Sequence, residues 1–256
     1  MIASIMSIAK EAGEILKEGF YGSKNVTNKG SKDLVTEYDV RVEDFIIDRV
    51  QKQFPGYGIV AEESALSSDN PDKIIIDPID GTTNFVHGIP NVAISIGLFK
   101  ENHPYAGIVY NPIQNELYHA LKGEGAYCNG VRIAVTRESR FKHSLIATGF
   151  PYTIDKSRDD FEWNMKKIGM ILPEVQDIRR LGAASLDLCY VARGSFEGYY
   201  EMNLKPWDVA AGMVILKEAG GVISDQNGDP YDPFTDRIIV VSNGEIHESL
   251  IGYLHD

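Results

Sequence analysis

The chain has 256 residues, 43% of them hydrophobic, which is enough to bury a full core in one large domain or two intimately packed subdomains and excludes disorder as the default. Its formal net charge of -12 argues against any mechanism that depends on general attraction to nucleic acid or anionic lipid. An anionic substrate would need local help, and carboxylates that hold a divalent cation supply it.

Cys128 and Cys189 lie far apart and lack CxxC or Cys/His spacing, so neither a zinc site nor a redox motif is suggested. The opening segment MIASIMSIAKEAGEILKEGF has no basic n-region and meets Lys10 and Glu11 before any apolar run is long enough for a signal peptide. No other stretch could span a membrane, so a cytoplasmic location is expected by elimination.

In chain order, Ile5, Ala9, Ala12, Leu16 and Phe20 recur three or four apart and predict a helix over residues 2 to 20. A polar connection from Tyr21 to Lys32 leads to a second predicted helix, from about Asp39 to Phe54, which Pro55-Gly56 ends. Asp39 stands where an N-cap would stand. Short β-type runs follow at 58 to 61, 73 to 77, 92 to 99, 106 to 110 and 116 to 120, spaced for antiparallel pairing. Strand and helix then alternate: strand 144 to 149, helix 159 to 171, helix 183 to 193, strand 196 to 201, helix 207 to 219, strands GGVIS and RIIVVS, and a terminal helix. A soft boundary in the polar stretch TRESRFKH divides residues 1–140, an α+β portion, from residues 141–256, an α/β portion.

Chemistry concentrates in KIIIDPIDGTTNFVHG, residues 73 to 88, where an apolar strand meets Asp77 and then Asp80. Pro78 fixes the backbone between them, so Asp77, the Ile79 carbonyl and Asp80 can converge on one hard-cation site. Gly81-Thr82-Thr83 could open a helix whose free N–H groups meet an anion held by that cation. An ordinary Asx-turn would use the same residues merely to cap backbone N–H groups. Upstream, GIVAEES places Glu62-Glu63 after another apolar run; neighbours in extended chain face opposite ways, so Glu62 is expected to face the site and Glu63 to stand behind it or in solvent. Downstream, Asp208 opens an Ala-rich helix, a position that a simple cap would also explain.

EES at 62 to 64, DPIDGTTNFVHG at 77 to 88 and WDVAAG at 207 to 212 occur in the order found in the inositol monophosphatase family of magnesium-dependent, lithium-sensitive phosphatases, which this chain resembles from DLVTEYD at 33 to 39 through EAGG at 218 to 221. The resemblance implies a five-layer helix-sheet-helix-sheet-helix sandwich of mixed α+β and α/β character, commonly a homodimer. It implies two to three Mg2+ ions: Glu62, Asp77 and the Ile79 carbonyl on one, Asp77, Asp80 and Asp208 on a second, and a weaker third sharing Glu62. It further implies that Thr82, backed by Asp39, orients the attacking water, and that the N–H groups of Gly81 and Thr82 hold the phosphate. Asp80, Gly182, Ala183, Ala184, Glu201 and Asp208 would meet the substrate, and Ser185 could contribute. On this reading residues 1–140 carry most metal ligands, and residues 141–256 carry the substrate contacts and Asp208. The chain departs from the family at Ala61, where Gly is usual, and in NVTNKGSK, where Lys29 and Lys32 are both candidates to approach the metals.

Histidines 87, 103, 119, 143, 247 and 255 form no ligand spacing. Arg179-Arg180 could meet a second phosphate or make ordinary salt bridges. The leading expectation is hydrolysis of myo-inositol monophosphate. Its rivals are a bifunctional fructose-1,6-bisphosphatase, a nucleotide bisphosphate phosphatase with Arg179, Arg180 and Lys205 as candidate contacts, and a catalytically silent regulatory protein on the same fold.

Overall fold

A computed structural model describes residues 1–28, 34–151 and 153–255. Lys29 and Lys32 lie outside the described residues. Helix α1 (Ile2–Tyr21) buries Ile5, Ile8, Ala12 and Leu16, the stripe expected from their spacing. A short antiparallel pair, β1 (Val26–Asn28) and β2 (Leu34–Thr36), leads into α2 (Glu37–Gln53). This helix starts two residues earlier than its apolar pattern suggests. Thr36 is the N-cap, and its side chain accepts the Tyr38 amide. Asp39 occupies the third helical position and reaches back to the Thr36 amide, so the TEYD segment is a capping box.

The first sheet contains β3 (Gly58–Ala61), β4 (Lys73–Asp80), β5 (Ala93–Lys100), β6 (His103–Asn111), β7 (Glu116–Leu121), β8 (Gly125–Cys128) and β9 (Val131–Ile133), paired in that order. Only β3 and β4 run parallel; the other neighbours are antiparallel. Strand β4 does not stop at Asp77. It continues to Asp80 through a register shift, because Pro78 has no N–H to keep the ladder regular. Helix α3 (Thr82–His87) follows at once. The β8–β9 hairpin turns on Asn129 and Gly130, both with positive φ.

The remaining chain forms β10 (Leu145–Thr148), α4 (Arg158–Ile171), β11 (Asp177–Arg179), α5 (Ala184–Ala192), β12 (Gly198–Met202), α6 (Pro206–Glu218), β13 (Val222–Ser224), β14 (Ile238–Ser242) and α7 (His247–Leu254). Its sheet has the order β11-β10-β12-β14-β13, parallel from β11 to β12 and antiparallel beyond.

Five layers result. Helices α1 and α2 pack Ile8, Leu16 and Ile46 onto Ile74, Ile76, Ile94 and Ile108 of the first sheet. Helices α5 and α6 fill the centre, where Leu186, Leu188, Ile215 and Leu216 meet Val109 and Tyr118 of one sheet and Tyr199, Ile239 and Val241 of the other. Helices α4 and α7 cover the outer face of the second sheet with Ile171, Leu250 and Leu254. Burial on both faces explains why β4 and β14 read as continuous apolar runs. Gly107 lets α6 approach β6 closely: a Cβ there would lie 2.2 Å from the Ala211 carbonyl oxygen.

Candidate active site

The central helices and the ends of β3, β4 and β12 border a cavity of about 670 Å3. Glu62, Asp77, Ile79, Asp80, Gly81, Thr82, Gly182, Ala183, Ala184, Glu201 and Asp208 all line it. Four separate stretches of chain therefore bring their acids to one place. Asp39 and Glu63 do not line the cavity; Asp39 reaches it through the hydrogen bond it accepts from Thr82.

Asp77, Asp208 and Asp80 each have one oxygen engaged by the chain. Asp77 Oδ1 accepts the Ile79 amide at 3.0 Å. Asp208 Oδ2 accepts the Lys205 amide at 2.6 Å, which closes the first turn of α6. Asp80 Oδ2 accepts the Ser185 amide at 2.8 Å and the Ser185 hydroxyl at 2.5 Å, at the start of α5. The capping role foreseen for Asp208 is thus real, and it coexists with a place on the cavity wall.

Electrostatically this wall is under stress. Burial, then the charges of Glu62, Asp80, Asp208 and Asp39, push the Asp77 carboxyl well above the usual range. Asp208 is driven the same way, first by burial and then by Glu62. Asp80 rises to about 6 through burial, held back by hydrogen bonds from Ser185. Among the described residues no cationic side chain pairs with Asp77, Asp80 or Asp208. Buried acids without cations are the chemistry of a donor set for hard metal ions. As they stand, the side chains keep apart: among the described residues no group of three or more His, Cys, Asp or Glu residues is already arranged to hold an ion.

Thr82, the first residue of α3, shares its hydroxyl hydrogen between Asp39 Oδ1 at 3.1 Å and the Ile79 carbonyl at 3.0 Å. Asp39 is fixed in turn by the Thr36 amide and hydroxyl, at 2.8 Å and 2.6 Å. The Thr82 oxygen consequently keeps its lone pairs for a ligand in the cavity.

Glu201 enters from β12. Its carboxylate accepts the Tyr199 hydroxyl at 2.5 Å, and burial raises its carboxyl to about 7. It lies over the end of β10, where a Cβ on Gly149 would fall 1.9 Å from Oε2. Arg180 lines the same region with its guanidinium over the Phe150 ring, whereas Arg179 pairs with Asp177. Lys205 also lines the cavity.

Three residues went unnoticed in the sequence. Glu43, buried on α2, accepts the Glu63 and Ser64 amides at 2.7 Å each and so fixes the turn that carries Glu62. Its signal was available: an acid on the apolar face of a helix, one turn after Asp39. Gly149 makes room for Glu201, and Tyr199 positions the same carboxylate. Both relations are tertiary and leave no local mark.

Comparison with solved structures places this fold beside that of the extragenic suppressor protein suhB from Bartonella henselae, with a TM-score of 0.93 and 36% identity over 100% of this chain and 98% of that one. The inositol monophosphatase of Anabaena (Nostoc) sp. PCC 7120 gives a TM-score of 0.89 and 34% identity over 98% and 94% of the two chains. Inositol monophosphatase 3 of Solanum lycopersicum is 41% identical over 254 residues, 97% of this chain and 94% of the relative. The fold is therefore that of phosphoric monoester hydrolases. The inositol monophosphatase family profile matches residues 1–256, and the chain belongs to that family. Among the described residues no helix is long and apolar enough to cross a membrane.

Proposed function

We propose that this phosphatase hydrolyses the phosphate monoester of a small polyol, with myo-inositol monophosphate as the preferred substrate. The observation that carries the proposal is one cavity lined by an acid wall beside Thr82 and, from a different strand, by the Glu201 carboxylate that Tyr199 holds. The first suits metal ions and a phosphate; the second suits the hydroxyl groups of a leaving polyol.

Glu62, Asp77, Asp80, Asp208 and the Ile79 carbonyl would hold two to three divalent ions, for which Mg2+ fits the all-oxygen donor set. Ions held there supply charge neutralisation for the phosphate oxygens, an activated water and stabilisation of the departing alkoxide. The chain's own part is orientation. Thr82 would accept a hydrogen bond from the attacking water, with its own proton committed to Asp39 and Ile79. The amides of Gly81 and Thr82 would receive the phosphate oxygens as they turn into α3. Glu201, aimed by Tyr199 and Gly149, would accept hydrogen bonds from the polyol, and the backbone from Gly182 to Ala184 would close over it.

A second reading, a bisphosphorylated sugar or nucleotide, is favoured by Arg180 and Lys205 on the cavity wall. Phosphate release from inositol 1-phosphate, fructose 1,6-bisphosphate and adenosine 3′,5′-bisphosphate at fixed magnesium separates the two. The highest kcat/KM is expected for inositol 1-phosphate; a clear preference for either bisphosphate would overturn the first reading in favour of the second.

A further inference from the structure

Of the acids on the cavity wall, Asp80 is tied most tightly. Asp77 and Asp208 each accept one backbone amide. Asp80 Oδ2 accepts both the amide and the hydroxyl of Ser185, with the amides of Ala184 and Leu186 close by. Ser185 is fully buried, and its hydroxyl donates to no other group among the described residues. Asp80 and Ser185 stand 105 residues apart, so tertiary structure alone makes this contact.

A single amide would let the carboxylate turn about its Cβ–Cγ bond and offer both oxygens to the cavity. The hydroxyl is a second donor to the same oxygen. At 2.5 Å it has the length of a strong charge-assisted bond, and it opposes that turn. Oδ2 stays with α5, and Oδ1 alone is left for a cation. One oxygen per carboxylate suits Mg2+, which demands near-ideal octahedral geometry, whereas Ca2+ readily accepts two oxygens from one carboxylate and a higher coordination number.

We propose that Ser185 is a positioning residue that makes Asp80 a one-oxygen ligand and thereby biases the cavity toward Mg2+ over Ca2+. The inference rests on the reading of Asp80 as a metal ligand.

Calorimetric titration of the metal-stripped full-length protein with Mg2+ and with Ca2+ tests it, on wild type, Ser185→Ala and Asp80→Asn. Loss of an outer partner of a metal ligand typically weakens binding by about 10–100-fold. Ser185→Ala is expected to weaken Mg2+ by that factor and Ca2+ by distinctly less, so that the ratio of the two dissociation constants shifts toward Ca2+. A general loss of structure would weaken both ions alike, and that result, or an unchanged pair of constants, overturns the inference. Asp80→Asn should weaken Mg2+ strongly. If it does not, the ligand reading beneath the inference fails; if it does while Ser185→Ala binds like wild type, only the role of Ser185 fails. A metal-free thermal melt reports folding of each variant. Should the alanine variant not fold, Ser185→Cys, nearly the same size with a much weaker donor, carries the same expectation.

Discussion

A carboxylate on the acid wall and the Glu201 carboxylate from β12 should fail differently when neutralised. Asp208 caps α6 through one oxygen and faces the cavity beside Asp77 and Asp80, so Asp208→Asn keeps the shape but removes a charge the ions need. Metal stabilisation of developing charge is worth several kcal/mol, and each ~1.4 kcal/mol is tenfold in rate. Turnover is expected to drop by about 1,000-fold with the melting temperature of the metal-free protein unchanged or raised. Wild-type-like turnover in a phosphate-release assay would remove Asp208 from the metal set. Glu201 has another task. Glu201→Gln keeps one amide oxygen that can accept the Tyr199 hydroxyl but loses the charge and the second acceptor oxygen offered to polyol hydroxyls, and hydrogen bonds to a charged partner are worth about 1.5–3 kcal/mol. The expected outcome is a loss of roughly tenfold or more in kcat/KM on inositol 1-phosphate and little change on p-nitrophenyl phosphate, which has no hydroxyls to read. Equal losses on both substrates would count against a polyol contact.

The elements that aim these residues make predictions of their own. Strand β10 ends at Thr148, and Gly149 beyond it leaves the space in which the Glu201 carboxylate lies. Gly149→Ala would put a methyl group inside that carboxylate, so Glu201 must swing away, and the variant should reproduce the selective loss on inositol 1-phosphate. A loss shared equally with the aryl phosphate would show that the whole cavity had shifted instead. Helix α2 plays the matching part for Glu62. Glu43 holds two amides of the turn after β3, and Glu43→Ala leaves both to solvent, at the net worth of hydrogen bonds to a charged group, up to about 1.5–3 kcal/mol. That variant should melt earlier and need more Mg2+ for half-maximal activity. Unchanged magnesium dependence would separate Glu43 from the site. The contrast explains what the sequence could tell. Acids that follow apolar runs, such as Glu62 and Asp77, are visible because periodicity stops there. The apolar helices and strands are visible for the same reason. The β1–β2 pair is not, since three-residue polar strands carry no pattern. Asn129-Gly130 carries a local turn signal for the β8–β9 hairpin that went unnoticed, and Asp39, expected at the N-cap, proves to be the third helical residue behind Thr36. Gly149, Tyr199 and Ser185 acquire their roles only when distant segments meet.

At the scale of the whole molecule, folding gathers charges that the extended chain keeps apart. Asp77, Asp80 and Asp208 have their carboxyl groups raised by burial and, for Asp77 and Asp208, by neighbouring charges of which Glu62 is foremost, with Asp80 reaching about 6. In the unfolded chain they titrate near the ordinary aspartate value of about 4. Between those limits the folded, metal-free protein holds protons that the unfolded chain has released. Stability from these groups is therefore complete below about pH 4 and is lost as pH rises through the folded-state values. A metal ion binds the deprotonated carboxylates and takes the place of those protons, so its stabilising effect must grow over the same interval. Melting curves from pH 4.5 to 7.5, in chelator and in Mg2+ at one fixed concentration, 100 times its dissociation constant at pH 7.5, read both effects. Saturation at that level is worth about 2.7 kcal/mol, or roughly 5–10 °C for a chain of this size. The metal-free melting temperature should fall toward neutral pH, and the gain from Mg2+ should widen. Net charge alone also lowers stability as pH rises, so Asp77→Asn is the deciding variant: with one repelled charge gone, its metal-free curve should be flatter and its response to Mg2+ small. A slope unchanged in Asp77→Asn, or a Mg2+ gain independent of pH, would mean that the acid wall is not where protons and metal compete.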